Sequence, residues 1–338
     1  MENKAKMKIV QVGLGPLGQK IVRYALERGH FEIVAAVDPA PDKAGRDLGD
    51  ICGIGKGLTV SADLQTALRG KSADVAILST VSSLEKLEPQ VAELARAGLN
   101  IVSTCEELSF PWRTNPGISE RLDGVLKESG VACVGTGVNP GYLMDFLPVV
   151  ATAVCQRVDI IQVSRIQNAS CRRIPFQQKI GAGLSLSEFQ SKVDQGTLRH
   201  VGLTESMHMI AHSMGWILDG TTESLDPVLA DRNIEEGYRP IRAGEACGVQ
   251  QVSHAYVNGK ETITLLFRAA VGEPESYDKI EIKGEPDITL VIPGGVNGDI
   301  ATCAITLNAI RSILRATPGL KTMLDIPAVT FSQSLVGI

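Results

Sequence analysis

Three glycines set between a strand pattern and a helix pattern constrain this chain more than any other feature. Lys8-Ile9-Val10-Gln11-Val12 reads as a short buried strand, and Pro16 to Arg28 carries helical apolar spacing that stops before Gly29. Between them lies Gly13-Leu14-Gly15-Pro16-Leu17-Gly18, the spacing G-x-G-x-x-G. The first glycine permits a tight turn, the second lets a pyrophosphate approach the backbone, and the third lets the helix pack on the strand. The unpaired N–H groups and the dipole of the helix start favour a negative charge there. Pro16 suits the first helical turn, where its missing N–H costs nothing. In a chain with 34 glycines such a spacing also arises by chance, so its context decides.

The context is a β-α-β series. Phe31 to Val37 is a short, β-branched run that ends at Asp38, twenty residues past Gly18, where a carboxylate would accept hydrogen bonds from an adenosine ribose. Further strands are predicted at Ala73–Leu78, Asn100–Thr104 and Val131–Gly135, alternating with helices at Ser83–Ala97 and Ile118–Glu128. Such alternation with right-handed crossovers makes an α/β fold, a doubly wound parallel sheet of the Rossmann type. It spans residues 1–145 and is expected to be completed by the C-terminal segment 298–338, whose Ile300, Ala304, Leu307, Ile310 and Leu314 outline an amphipathic helix. No arginine directly follows Asp38 to pair with a 2′-phosphate, which favours NAD; Lys43 and Arg46 lie close enough to allow NADP.

Ligands of an open parallel sheet bind beyond the carboxyl ends of its strands. Three such ends are polar: Ser79-Thr80-Val81-Ser82-Ser83, Ser103-Thr104-Cys105-Glu106-Glu107 and Gly135-Thr136-Gly137-Val138-Asn139-Pro140-Gly141. Thr80 and Thr104 are expected beside the cofactor, and Glu106 and Glu107 where a nicotinamide should lie. A carboxylate there serves as general base toward an amine or a water, or, more plainly, caps a neighbouring helix start. Cys105 is a weaker nucleophile candidate, because no histidine accompanies it. The third end is expected to lead through a helix, Tyr142 to Val154, into the rest of the chain.

From about Val158 the pattern changes to alternating β runs at Asp159–Arg165, Gly248–Val257, Glu261–Ala270, Tyr277–Lys283 and Ile288–Ile292. With helices at Ser187–Gln195 and Leu203–Leu218, residues 146–297 form a second, α+β domain with a largely antiparallel or mixed sheet, expected to bind substrate and to dimerise. His208 and His212 share a helix face, but the glutamate of a zinc-protease motif is absent, so no metal is expected. Arg172, Arg173 and Lys179 form a small basic cluster, fit for a carboxylate or simply exposed.

A net charge of −5 and 4% aromatic residues argue against a nucleic-acid partner. No stretch approaches eighteen uninterrupted apolar residues, which excludes a spanning helix. Met1 to Lys6 is short and polar, with no room for a signal peptide, and seven scattered cysteines suggest neither a disulfide framework nor a zinc site. A reducing cytoplasm is the expected compartment.

These segments, together with Leu108-Ser109-Phe110-Pro111, His200-Val201-Gly202-Leu203-Thr204-Glu205-Ser206, Gly298-Asp299-Ile300-Ala301-Thr302 and Asn308-Ala309-Ile310, resemble the 2,4-diaminopentanoate dehydrogenase and native amine dehydrogenase family of the dihydrodipicolinate-reductase-like group. The resemblance runs almost the whole length. It implies a homodimeric NAD(P)-dependent oxidoreductase that interconverts an amine and a carbonyl with ammonia. It also implies a catalytic glutamate in the Glu-Glu segment, with Glu107 preferred and Glu106 in reserve. Tyr142, at a position where the family often has phenylalanine, becomes a pocket candidate; Asn139, Asn168 and His200 are further candidates for substrate contact. Similarity to true dihydrodipicolinate reductase is weaker, because its histidine-rich catalytic segment has no counterpart in Gln167-Asn168-Ala169-Ser170-Cys171-Arg172-Arg173. The alternatives are a cyclic-imine or carbonyl reductase and, outside catalysis, a dinucleotide-binding redox sensor.

Overall fold

The computed structural model describes residues 6–333. Of the polar opening Met1–Lys6 only Lys6 is therefore described, and the last five residues of the segment 298–338 also lie outside. The chain opens with β1 (Met7–Val12), α1 (Pro16–Glu27), β2 (Phe31–Val37), α2 (Leu48–Cys52), α3 (Leu64–Leu68), β3 (Val75–Leu78), α4 (Leu84–Arg96) and β4 (Asn100–Ser103). Then come α5 (Pro111–Thr114), α6 (Pro116–Glu128), β5 (Ala132–Gly135), α7 (Phe146–Ala151), β6 (Arg157–Asn168), α8 (Ile174–Lys179), α9 (Leu186–Asp194) and α10 (Leu203–Met214). It continues through β7 (Gly220–Leu229), β8 (Ala246–Val257), β9 (Lys260–Ala270), β10 (Tyr277–Glu285) and β11 (Ile288–Pro293), and closes with α11 (Gly298–Ile313) and β12 (Gly319–Lys321). Two compact units result: one runs up to Tyr142 and resumes at Asn297, and the other is Leu143–Val296.

In the first unit six strands lie in the order β2-β1-β3-β4-β5-β12, every pair parallel. Strands covered on both faces read as continuous apolar runs, and all four residues of β3, Val75 to Leu78, are buried. Leu84, Leu87 and Val91 of α4 and Leu122 and Leu126 of α6 pack against Val10, Ala76, Leu78 and Ile101. α1 and α11 lie side by side, and Arg28 Nη1–H donates to Asn308 Oδ1 at 2.7 Å. The strand β12 was not evident from the sequence; three residues are too few to show a period. The winding direction reverses at β1, whose neighbours are β2 and β3, so the ligand crevice opens past Val12 and Leu78.

The second unit holds a six-stranded mixed sheet, β11-β10-β6-β9-β8-β7, in which β6 and β9 pair parallel and all other pairs are antiparallel. Burial alternates along β8, β9 and β10, so one face is closed and the other half-open. Ile161, Val163, Ile263, Leu265, Ile280 and Ile282 are on the closed side, and α10 packs on β8 and β9 with α7 beside it.

Two expectations need correction here, and one further strand was not foreseen. The helix expected over Tyr142–Val154 covers only Phe146–Ala151, followed by a 3-10 turn at Thr152–Val154. Asp145 has non-helical backbone angles and its carboxylate accepts Phe146 N–H at 2.7 Å, so the helix starts there. The helix from Leu203 stops at Met214, not Leu218, because Gly215 adopts φ +67° and terminates it. β7 was missed because its residues are mostly exposed and polar; it is an edge strand, where Pro227 is tolerated. Among the described residues no helix is long and apolar enough to cross a membrane, and no group of His, Cys, Asp or Glu could hold a metal ion.

Candidate active site

The glycine motif occupies the turn from β1 into α1, and each glycine is needed for a different reason. Gly13 has φ +89°, and a Cβ there would lie 2.5 Å from Ser79 O. A Cβ on Gly18 would lie 2.0 Å from Gly13 O. Gly15, the N-cap of α1, would meet nothing within 4 Å, so its side stands open for a ligand. Pro16 occupies the first turn, and the N–H groups of Leu17 and Gly18 have no intrahelical acceptor there. This is the arrangement a dinucleotide pyrophosphate requires: backbone donors, the positive end of a helix and no Cβ in the way.

A buried glutamine, which the motif did not point to, fixes the turn. Gln11 Nε2–H donates to Gly13 O and to Ser79 Oγ, each at 2.9 Å, tying the ends of β1 and β3 together. A polar residue between Val10 and Val12, in the buried part of β1, was the available signal.

Asp38, at the end of β2, is 7% exposed and densely bonded. Its Oδ2 accepts Leu14 N–H at 2.8 Å and Lys43 Nζ at 2.9 Å, and its Oδ1 accepts Ala40 N–H at 3.0 Å. Burial alone would raise its pKa, but Lys43 and the two backbone donors outweigh it and hold the carboxyl below its ordinary value. Gly13, Gly15, Asp38, Lys43 and Thr80 share a cavity of about 540 Å³ at the crevice between β1 and β3. Thr80 Oγ1–H donates to Gln90 Oε1 at 2.8 Å on its rim. These residues fit a dinucleotide with its adenosine end toward Asp38.

At the end of β4, Thr104 is half-buried and its N–H donates to Leu78 O at 3.1 Å. The chain then enters a 3-10 turn, Glu106–Leu108. Here the two glutamates separate. Glu107 Oε2 accepts Leu84 N–H at 2.7 Å, at the first turn of α4, whose N-cap Ser83 makes no side-chain cap bond. The Glu106 carbonyl is held by Ser109 N–H at 3.1 Å and Ser109 Oγ at 2.8 Å, while no described residue bonds to its carboxylate. Cys105 is 2% exposed and its Sγ–H donates to Ser82 O at 3.1 Å. Burial first, then the charges of Glu106 and Glu107, push the thiol up to about 12, so it stays protonated and is a poor nucleophile at neutral pH. On the next strand end, Asn139 and Tyr142 are both half-buried, and Gly141 between them takes φ +111° where a Cβ would lie 2.6 Å from Gly137 N.

Asn168 and His200 belong to the second unit. Asn168 is exposed and its side chain is already used: Nδ2–H donates to Glu273 O at 2.7 Å and Oδ1 accepts Ser170 N–H at 2.8 Å. The backbone of His200 is doubly bonded to the Gln251 amide at 2.8 and 3.0 Å, and its ring lies 4.3 Å from that of Phe267. Burial first, then the charges of Lys179 and Arg165, lower His200 to about 3, so the imidazole is neutral. Arg165 is itself buried and paired with Asp278 at 2.6 Å and with Val296 O at 2.8 Å. Gln251, Arg165 and Asp278, none of them singled out by the sequence, make the closed sheet face polar at this end. Polar residues at inward positions of β6, β8 and β10 were the missed signal.

The comparisons with known proteins cover the chain from both ends. Residues 142–335 match the family model of the 2,4-diaminopentanoate dehydrogenase C-terminal domain, and residues 7–105 match that of the dihydrodipicolinate reductase N-terminus. The chain is 32% identical to 2,4-diaminopentanoate dehydrogenase of Acetoanaerobium sticklandii over 333 residues, 95% of this chain and 94% of that one. It is 23% identical to an amine dehydrogenase of Streptomyces virginiae, over 93% of this chain and 94% of the relative. In fold it is similar to the solved amine dehydrogenase of Mycobacterium smegmatis, with a TM-score of 0.85 over 99% of this chain and 100% of that chain at 22% identity.

Proposed function

The chain belongs to the 2,4-diaminopentanoate dehydrogenase family, an amine-acting oxidoreductase family, and from that premise we propose an NAD(P)-dependent amine dehydrogenase that also runs as a reductive aminase. The observation that carries the chemistry is the unengaged carboxylate of Glu106 at the end of β4, beside the strand ends that the dinucleotide crosses. When bound, the nicotinamide supplies a two-electron acceptor for the hydride on the carbon that bears the amine. Glu106 then takes a proton from water as its oxygen adds to the resulting iminium carbon, passes it to the nitrogen, and takes the hydroxyl proton as ammonia leaves and the carbonyl forms. In the opposite direction the same carboxylate accepts a proton from ammonium, freeing the ammonia that condenses with the carbonyl.

Glu106 is preferred to Glu107 as the base because the Glu107 carboxylate is held by Leu84 N–H. Glu107 remains the reserve, and as a cap it positions the loop between β3 and α4. Asn139 and Tyr142 are proposed substrate contacts on the neighbouring strand end; Asn168 and His200 stay secondary candidates. The first substrate to offer is 2,4-diaminopentanoate, for which the relative of A. sticklandii is named. NADH formation at 340 nm on adding this diamine and NAD supports the reading. No turnover with this or any short primary amine, while NAD still binds, overturns it.

A second copy of the chain is proposed to cover the half-open face of the second sheet, where the half-buried Val252 and Leu266 sit among polar neighbours. Light scattering at micromolar concentration should give the mass of two chains, and a single-chain mass refutes the dimer. None of the seven cysteines is joined in a disulfide, which fits a reducing compartment such as the cytoplasm.

A further inference from the structure

A pyrophosphate is drawn to N–H groups and repelled by carbonyl oxygens, so a turn that cradles one must keep its C=O dipoles aimed elsewhere. Two glutamine amides hold the carbonyls of this turn, one from the strand before it and one from the helix after it. Gln11 Nε2–H donates to Gly13 O at 2.9 Å, and Gln19 Nε2–H donates to Leu14 O at 2.9 Å. Ser79 Oγ–H adds a longer bond to Gly13 O at 3.2 Å. A trans peptide sets its N–H opposite its C=O. With Gly13 O held by Gln11, Leu14 N–H faces the other way and is taken by Asp38 Oδ2 at 2.8 Å. With Leu14 O held by Gln19, Gly15 N–H faces away from that amide, and no described residue accepts it.

Donors are scarce in this turn. From Leu14 to Gly18, Leu14 N–H is spent on Asp38 and Pro16 has none, which leaves Gly15, Leu17 and Gly18. Turning over the Leu14–Gly15 peptide would carry Gly15 to positive φ, which a glycine tolerates, and would put Leu14 O where Gly15 N–H now stands. Gln19 opposes that flip by holding Leu14 O, and Gln11 fixes the preceding peptide in the same way. Gln11 also carries a cost. Its side chain is fully buried, and its Oε1 has no partner. Rotating the amide by half a turn gives no relief, because Gly13 O can only accept and must face Nε2. A buried acceptor without a donor lowers stability, and an apolar side chain of similar length would avoid it. Such a breach of the packing rule beside a ligand crevice is expected where binding, and not stability, selects the residue.

We infer that Gln11 and Gln19 are positioning residues for the dinucleotide pyrophosphate, holding the Gly13 and Leu14 carbonyls back so that Gly15 N–H meets the phosphate oxygens. The inference rests on the dinucleotide reading of the crevice. Each glutamine acts through a peptide group, and the two reach the turn from opposite sides, Gln11 from β1 and Gln19 from α1. The turn is therefore set before the ligand arrives, and binding does not have to pay for ordering it.

The test is calorimetric titration of the full chain with NAD and with ADP-ribose, a redox-inert probe that keeps the pyrophosphate. Ligand-detected NMR with adenosine, which lacks the pyrophosphate, is the control. Gln11→Met and Gln19→Met remove the amide donors at nearly constant length. Each should weaken NAD and ADP-ribose about 10- to 100-fold, the size of one lost hydrogen bond to a charged group, and leave adenosine binding within about twofold. Ligand-free Gln11→Met should unfold at or above the wild-type midpoint, because the orphaned acceptor leaves with the amide. Gln11→Leu replaces Gln11→Met if the latter does not fold. NAD and ADP-ribose affinities within about threefold of wild type in both variants overturn the inference while leaving the dinucleotide site in place. An equal loss for adenosine, or a loss only in variants whose unfolding midpoint falls, also overturns it, since either marks a merely structural glutamine. A folded wild-type chain that binds neither NAD nor ADP-ribose removes the dinucleotide reading, and the inference with it.

Discussion

Exchanging Glu106 and Glu107 one at a time separates a base from a cap. Glu107 accepts Leu84 N–H at 2.7 Å at the start of a 13-residue helix whose own N-cap makes no side-chain bond. Its carboxylate therefore does the work of an N-cap, a charge-assisted bond at the positive end of α4. Removing an N-cap acceptor costs about 0.5–2 kcal/mol. Glu107→Ala should thus lower stability by about 1 kcal/mol, or about 2–4 °C in melting temperature for a unit of this size. Glu107→Gln keeps an acceptor oxygen and should be milder in both stability and turnover. Glu106 loses no hydrogen bond on substitution, so Glu106→Gln should unfold within about 0.5 kcal/mol of wild type. Its kcat should fall about 10²- to 10⁴-fold, the usual size of a lost general base. The assay pairs thermal unfolding with steady-state amine oxidation on the same preparations. The reasoning is refuted if Glu106→Gln keeps near-normal kcat while Glu107→Gln loses it at unchanged melting temperature.

Two further outcomes follow from the geometry. Gly15→Ala should leave stability nearly unchanged and weaken dinucleotide binding, whereas Gly18→Ala, with its Cβ 2.0 Å from Gly13 O, should lower both; calorimetry and thermal unfolding that show equal effects for the two would contradict the cradle. His200 is lowered to about 3 in the fold by burial and by Lys179 and Arg165, while an unfolded histidine titrates near 6.5. Between these values the unfolded chain binds the extra proton, so this group's contribution is fully favourable above about pH 6.5 and is lost as pH falls toward 3, by up to about 1.4 kcal/mol per pH unit. Denaturant midpoints at pH 7 and pH 5 should differ less in His200→Gln than in wild type; equal differences would show that His200 is not the group responsible.

Much of the first unit was legible because its strands are buried on both faces. Ile33 to Val37 and Val75 to Leu78 have no polar interruption, and the glycine spacing marks the turn that Gly13 and Gly18 must make. Edge elements were not legible. β7 presents Thr221, Thr222, Glu223 and Ser224 to solvent, so no apolar period betrays it. Helix ends set by a single residue, such as Asp145 or Gly215, shift boundaries that periodicity leaves open. Within the site, residue types were visible but partners were not. The bonds of Gln11 to Ser79 and of Glu107 to Leu84 join positions far apart in sequence, which spacing cannot pair. Lys43 was visible as a nearby charge, yet only the turn after Asp38 shows that it, and not Arg46, reaches the carboxylate.

The most direct measurement follows nitrogen and hydride together. Purified protein is incubated with NADH, a short keto acid or ketone panel and ¹⁵N-ammonium, and NADH loss is compared with ¹⁵N-amine formed, by mass spectrometry. The expected result is NADH oxidation that requires ammonium and yields one labelled amine per NADH consumed, with both signals lost together in Glu106→Gln. NADH oxidation that proceeds equally without ammonium and yields an alcohol would contradict the amine dehydrogenase reading and make the chain a carbonyl reductase on the same dinucleotide fold.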